Sequence, residues 1–363
     1  MKKLLFVAVA GIFILATSCK KNDSDKQTDQ SSHLKDAEKI TQFFEDHARK
    51  QETFTVDAAA GGTVTTTKGT KVKFPANIFK TGAGAAVTGS VTVKVLDVIE
   101  AGDMILNHKP TITANGEQLI SFGEIRVDAE QGGNALVLNA NNDNRVQVIF
   151  PVGAGQRAGQ NIKEIPLWNG VEPEVSTYDV SGYNHENQST TVSQSHYIYP
   201  GISWENLSGF GSATTEETSF FLDSLGSWRN CDILVNDPRT KTTILCFLGD
   251  FFNNETSTNY SGIEPTSVYF KLKDENTLIK LYNVILNPIA GKQGFLSYQN
   301  TMPIGAEGSF LAISTIDGKF YAQVKDITIG TPDSGKNYFG IDFNLAEVTE
   351  TELLALINDL KNK

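Results

Sequence analysis

The sequence predicts a mainly β protein of two antiparallel β-sandwich-like domains, with an N-terminal tether helix and a C-terminal capping helix. Three observations carry this. Apolar residues recur at every second position in short runs, as in Val91, Val93 and Val95 with Thr92 and Lys94 between them, which is the alternation of a strand with one buried face. The runs are punctuated by Asn115-Gly116, Asn169-Gly170 and Asp317-Gly318, pairs whose tolerance of positive φ suits two-residue hairpins. No helical periodicity intervenes between strands, so the order argues for sandwiches rather than a parallel sheet with crossover helices.

A chain of 363 residues is long enough for two domains with full cores, and 40% hydrophobic content excludes wholesale disorder. The formal charge is −11; without Lys2 and Lys3 there are 29 basic residues against 42 acidic ones, a balance of −13. Such a body repels phosphate backbones, and no nucleic acid partner is expected.

The chain opens with Lys2 and Lys3, an apolar run from Leu4 to Leu15, and Ala16-Thr17-Ser18-Cys19. This is the order of a secretion signal. The run is too short for a permanent membrane span, which needs roughly 20 apolar residues. Leu15-Ala16-Thr17-Ser18-Cys19 resembles the bacterial lipobox. The resemblance implies a signal peptide over 1–19, diacylglycerol on the Cys19 thiol, cleavage before it and an acylated new N-terminus. The membrane is then a partner through acyl chains on Cys19, and the expected location is lipid-anchored at the outer membrane, on its cell-surface or periplasmic face.

Residues 20–52 read as a flexible tether and a short helix. Lys20 to Ser32 offers nothing to bury, and Lys21 with Asp23 and Asp25 resembles the signal that sends lipoproteins of the Bacteroidota to the cell surface. Ala37, Ile40, Phe44 and Ala48 lie at helical spacing with Ser32 as N-cap. This helix is expected to dock on the first β domain, residues 53–160. That domain alternates at Val72 and Phe74, at Val91 to Val95, at Ile125 and Val127, and at Val146, Val148 and Phe150.

Gly69 to Phe79, with Pro75 in its turn, and Gly89-Ser90-Val91-Thr92-Val93 resemble the β-sandwich domain shared by ankyrins, netrin receptors and zonula occludens proteins. The second proline and the glycine usual before Ala76 are missing here. In the animal members this domain is a protein-binding scaffold, which implies binding rather than catalysis. Gly102 to Leu106 and Ser121 to Ile125 are similar to stretches of Bacteroidota envelope lipoproteins.

The glycine-rich segment Gly153 to Gly159 closes the first domain, and residues 161–211 form an aromatic-rich connecting region with Asn169-Gly170 as a further hairpin signal. Trp168, Tyr183, Tyr197, Tyr199 and Trp204 are its candidate ligand contacts, since such faces stack on sugar rings while nearby Asn and Gln bond hydroxyls; the same clustering also serves interdomain packing. Residues 212–363 form the second β domain. Its Ser227 to Asp232 segment resembles Gly-Trp-Ile-Asn-Cys-Asp of the same lipoproteins, with Arg229 in place of Ile, and reads as a structural corner. Strands follow at Thr243 to Leu248, around Val268 to Leu272 and at Leu278 to Leu286, and a hairpin turns on Asp317-Gly318. Thr349 and Glu352 have capping-box spacing ahead of a helix with Leu353, Leu356, Ile357 and Leu360 on one face, expected to seal this second domain.

Chemistry-bearing groups are sparse. None of the five histidines is placed in sequence as a catalytic base, and no serine has the surround of a nucleophile elbow. Asp97, Glu100 and Asp103 could pair as carboxylates but read as a solvated strand end. Asn139, Asn141 and Asp143 start like a calcium loop, yet Phe150 stands where a bidentate Glu is needed. Cys231 and Cys246 flank the turn signal Asn236 to Arg239; a disulfide requires one loop register, and a shift by one residue leaves two buried thiols, the preferred reading. Asp223-Ser224-Leu225 resembles the O-glycosylation triplet of the Bacteroidota. The expected function is a non-catalytic, lipid-anchored binding or scaffolding module of the envelope, without cofactor or metal and with a glycan or envelope protein as candidate partner. The alternative is a glycan-binding or glycan-processing surface lipoprotein using the aromatic connecting region.

Overall fold

The computed structural model describes residues 24–113, 116–139, 144–151, 162–172, 177–179, 182–184, 189–191, 195–197, 202–213, 217–249, 265–289 and 292–363. Within these, 24–34, 177–197, 282–289 and 292–293 are described by backbone alone. The protein is mainly β, with several antiparallel sheets and few helices. Among the described residues no helix is long and apolar enough to cross a membrane.

Helix α1 (Ser24–His47) leads into strands β1 (Glu52–Asp57), β2 (Gly62–Thr65), β3 (Lys71–Phe74), β4 (Phe79–Thr81) and β5 (Ser90–Val98). The short helix α2 (Ala101–Leu106) precedes β6 (Leu119–Gln131), β7 (Asn134–Leu138), β8 (Val146–Pro151) and β9 (Ile162–Val171). Two small ladders, β10 (Thr177–Asp179) with β13 (Ser195–Tyr197) and β11 (Gly182–Asn184) with β12 (Ser189–Thr191), lie outside the main sheets. β14 (Ser203–Ala213), β15 (Glu217–Leu222) and β16 (Trp228–Leu234) complete a twelve-stranded sheet in the order β1-β5-β6-β16-β9-β14-β15-β8-β3-β2, with β4 and β7 attached at the side.

The two ends of that path, β1 and β2, are joined by the tight turn from Asp57 to Gly61, so the sheet wraps around one core. Val56, Val72, Val93, Val127, Val148, Leu167, Phe220 and Cys231 meet inside it, each at the inward positions of an alternating strand. The pairing draws the domain boundary differently from the sequence-based division at 211/212. β15 pairs with β8, and β16 lies centrally between β6 and β9. The segment Trp228 to Asp232 is thus a central strand and not a corner. Asn169-Gly170 is not a hairpin either. Gly170 sits within β9, where an added Cβ would come within 2.2 Å of Ile202 and 2.6 Å of Trp228, so the glycine answers a close approach of side chains rather than a turn.

The second body pairs β21 (Tyr282–Ile289), β22 (Lys292–Leu296), β18 (Ile244–Phe247) and β26 (Phe339–Asp342) in one sheet. β20 (Ile279–Lys280), β19 (Thr266–Leu272), β24 (Glu307–Ile316), β25 (Lys319–Thr328) and β27 (Ala346–Val348) form the facing sheet. A minor ladder joins β17 (Lys241–Thr242) and β23 (Met302–Pro303). All described pairs are antiparallel except β18 with β26, which run parallel. Phe270, Phe310, Ala312, Cys246 and Ile341 fill the space between the two sheets. The expected hairpin forms at Asp317 and Gly318, both at positive φ (51° and 71°), between β24 and β25.

A third core lies between the bodies. The outer face of the wrapped sheet (Val98, Leu119, Trp168, Trp204, Trp228) meets the second face of the five-stranded sheet (Tyr269, Leu311, Ile313, Phe320). All three helices close this joint. α1 docks on the first β domain through α2 and His108, whose ring lies 5.0 Å from that of Phe44, and reaches across to the second body as well. Its Asp36 carboxylate accepts hydrogen bonds from the backbone N–H groups of Asp317 (2.9 Å) and Gly318 (2.7 Å), and Phe43 packs on Phe320 at 5.3 Å. The last helix, α3 (Glu350–Asp359), has the expected capping box, with Glu352 N–H donating to Thr349 Oγ1 at 3.2 Å and Thr349 N–H to Glu352 Oε2 at 2.7 Å. It buries Leu353 and Ile357 against α2 and β25, sealing the joint rather than the second domain alone.

Candidate functional site

Cys19, the expected lipid attachment point, lies outside the described residues, as do Tyr199, Asn141 and Asp143; Tyr183 and Tyr197 fall in β11 and β13, described by backbone only. The remaining aromatic candidates are brought together, but inward. Trp168 and Trp204 join Trp228 in the core between the bodies, 4% and 1% exposed. Their indole N–H groups donate to the carbonyls of Asp232 (3.0 Å) and Pro110 (2.9 Å). With both faces and both donors used, neither ring has a surface on which a sugar could stack. Trp168 and Trp204 are corrected from ligand contacts to packing, because neighbouring body and helices claim the outer face of β9 and β14.

The carboxylates at the end of β5 are not solvated. Asp97 is fully buried, its Oδ1 2.6 Å from the Arg49 guanidinium and its Oδ2 accepting from Thr66 Oγ1 at 2.6 Å. Arg49 also reaches Glu52 at 3.0 Å, and Glu52 accepts from the Thr67 backbone N–H. Glu100 and Asp103 share Lys68, at 3.0 and 2.9 Å. Partial burial of Glu100 would raise its pKa, but the hydrogen bond and charge of Lys68 and the charge of Lys361 outweigh it and hold the carboxyl below its usual value. Each of these acids is thus spoken for by a cation. Cys231 and Cys246 are free and buried, in separate cores, because the Asn236 to Arg239 stretch crosses between sheets instead of turning a hairpin. His47 pairs with Glu350 at 3.0 Å, and burial with the charges of Lys280 and Lys109 pushes His108 down to about 3. Ser224 is held in the turn after β15, donating to Asp223 (3.2 Å) and accepting from Arg229 (2.6 Å).

Two features were not found from the sequence. The first is a pair of buried acids on the outer face of the wrapped sheet. β6 carries a bulge, Ser121 and Glu124 standing opposite Asp232 and Asn230, with Gly123 at φ +136° inside it. An extra residue in one strand reverses the alternation, so Phe122 and Ile125 both point into the core while Glu124 turns to the joint. Glu124 is fully buried, and neither carboxylate oxygen has a hydrogen-bond partner among the described residues. Burial first, then the nearby Asp232 charge, push its pKa well up, against a smaller opposing effect of Lys109. Asp232 is better served, accepting from Phe122 N–H at 3.3 Å and from the Asn230 amide, yet burial raises it as well. Lys109 is turned away to Glu172 at 2.9 Å, over the Trp228 ring at 4.6 Å. Two buried acids with no third ligand do not build a metal centre: among the described residues no group of three His, Cys, Asp or Glu is placed to hold an ion.

The second feature is the opposite outer face, away from the second body. Phe210 on β14 and Phe221 on β15 are 61% and 40% exposed. Register places them side by side: Ser212 stands opposite Ser219, and Gly211 faces Phe220. Phe221 in turn is opposite Gln147, Gln147 opposite Lys73, and Lys73 opposite Thr63. The next row carries Ser219, Ile149, Lys71 and Thr65. The Arg145 guanidinium lies 4.1 Å from the Phe221 ring centroid. This stretch of the outer face carries exposed aromatic side chains with cations beside them, next to a buried Ile149. A single alternation rule generates it, and the sequence shows it only once the partners of β15 are known. Comparison with protein-family models, with curated proteins and with solved structures returns no match for this chain.

Proposed function

We propose that this chain is a non-catalytic, lipid-anchored protein of a Gram-negative envelope, working as a binding or scaffolding module at the membrane surface. The observation that carries the reading is Leu15-Ala16-Thr17-Ser18-Cys19 behind Lys2-Lys3 and a short apolar run. Several acyl chains at one site hold a water-soluble body far better than one chain, whose binding is marginal. The body that follows fits the role: two β domains share a core closed by three helices, and among the described residues the exposed aromatic face offers contact without an accompanying set of nucleophile, base and orienting group. A glycan partner reached through the connecting region is less well supported, since Trp168 and Trp204 are enclosed.

The test is metabolic labelling with an alkyne fatty acid in a bacterial host that processes lipoproteins. The wild-type chain takes up label and fractionates with membranes, and Cys19→Ser takes up none and is released. Equal labelling of both chains, or an unlabelled wild type, would overturn the reading.

A further inference from the structure

Among the described residues, the outward face of β14, β15, β8 and β3 is where apolar exposure and positive charge coincide. A phenylalanine has no polar handle, and exposing two of them side by side is costly unless something covers them. Val137 and Leu234, the other exposed large apolar residues among those described, lie on β7 and at the end of β16, away from this face. Around the Phe210–Phe221 pair stand Arg145, Lys73 and Lys71, all exposed. The acids nearby are Glu217, at the start of β15, exposed Glu164 on β9, two residues from the Pro166 that pairs with Phe210, and Asp223, which Arg229 engages at 2.8 Å. In a chain of net charge −11 this is a local excess of cations.

We infer that this face lies against an anionic lipid bilayer, the two phenylalanines entering the headgroup boundary and Arg145, Lys71 and Lys73 meeting lipid phosphates. Charge complementarity selects the occupant: an acidic body as a whole is repelled by an anionic membrane, and only a face of this sign and polarity can approach it. The inference deepens the anchor reading, for acyl chains on Cys19 would hold the body near the bilayer and raise the effective concentration of a weak second contact.

The test removes the acyl chains and asks whether the face binds alone. The chain from residue 19 onward, carrying Cys19→Ser, is sedimented with phosphatidylglycerol–phosphatidylcholine vesicles and with pure phosphatidylcholine vesicles. Binding is expected to the anionic vesicles, falling with added salt. It should weaken about tenfold in Phe210→Ser/Phe221→Ser and by at least about 25-fold in Lys71→Glu/Lys73→Glu, since each basic group near such a surface is worth about a factor of five and the two multiply. Val137→Ser should bind as the parent does. If the phenylalanine double variant fails to keep the parent's thermal melt, the lysine double variant carries the test alone. No anionic binding, equal binding to neutral vesicles, or indifference to these substitutions would overturn the inference. So would a parent that is dimeric by analytical ultracentrifugation and becomes monomeric in Phe210→Ser/Phe221→Ser, which would make the face a self-interface. Labelling at Cys19 is read independently: vesicle binding without acylation sinks the anchor alone, and acylation without vesicle binding sinks only this inference.

Discussion

Asp97 on β5 and Glu124 on β6 are diagonal neighbours, since Asp97 pairs with Ile125 and Glu124 with Val98 across the same ladder. Both are fully buried, yet they project from opposite faces of the sheet and are treated differently. Asp97 has a guanidinium on one oxygen and a hydroxyl on the other. Glu124 has neither. A carboxylate taken out of water must be either paired or neutralised, and this sheet uses one solution on each face. Asp97 ties the segment after α1 to the rim of the wrapped sheet. Glu124, its pKa pushed up by burial, sits in the joint between the bodies with no counter-ion on its carboxyl oxygens.

Removing the cation from the first pair should have the largest effect. Arg49→Met strands a buried charge, and a loss of about 3–5 kcal/mol in urea unfolding at pH 7 is expected; a loss below about 1 kcal/mol would mean that water reaches Asp97. Changing both partners, in Arg49→Met/Asp97→Leu, should restore most of that loss, because an apolar pair of similar volume makes no desolvation demand. Thr66→Val keeps the shape and deletes one hydrogen bond to the same carboxylate, with an expected cost of about 2 kcal/mol. If the two single variants cost the same, the guanidinium is not what distinguishes Asp97 from Glu124.

How far these features could be read in advance follows from the range of the interactions behind them. The capping box at Thr349 and Glu352 and the hairpin at Asp317-Gly318 are satisfied within a few residues, and both were legible. The alternating strands of the first domain were legible for the same reason. Asn169-Gly170 misled because the need for Gly170 comes from Trp228 and Ile202, distant in sequence. Strand alternation says that Trp168 and Trp204 share a face with their neighbours at i±2 but not whether that face meets water; the second body decides. Glu124 was hidden by its bulge, which shifts the period by one residue without a turn signal other than a single glycine. The exposed face with Phe210 and Phe221 failed to show because β15 was assigned to the second domain, which concealed its alignment with β8 and β3.

The smallest of these effects is the most diagnostic, because its sign depends on pH. A carboxyl raised above its unfolded value, here the ordinary 4.5 of glutamate, holds a proton in the folded state that the unfolded chain has released. Stability from this group is therefore full below about pH 4.5 and declines as pH rises towards the folded pKa, by at most about 1.4 kcal/mol per pH unit. Asp232, raised in the same direction, adds to the slope from its own unfolded value of 3.8. Glu124→Gln removes the proton equilibrium and leaves a neutral side chain of the same shape. It should gain on the parent steadily as pH rises from 5 to 8, by no more than about 1.4 kcal/mol per pH unit, read as the difference between two urea curves at each pH so that all other titrating groups cancel. A parent-minus-variant difference for Glu124→Gln that stays flat from pH 5 to 8 would mean that Glu124 ionises normally in the fold, and the contrast between the two faces of this sheet would then lie in hidden solvent rather than in protonation.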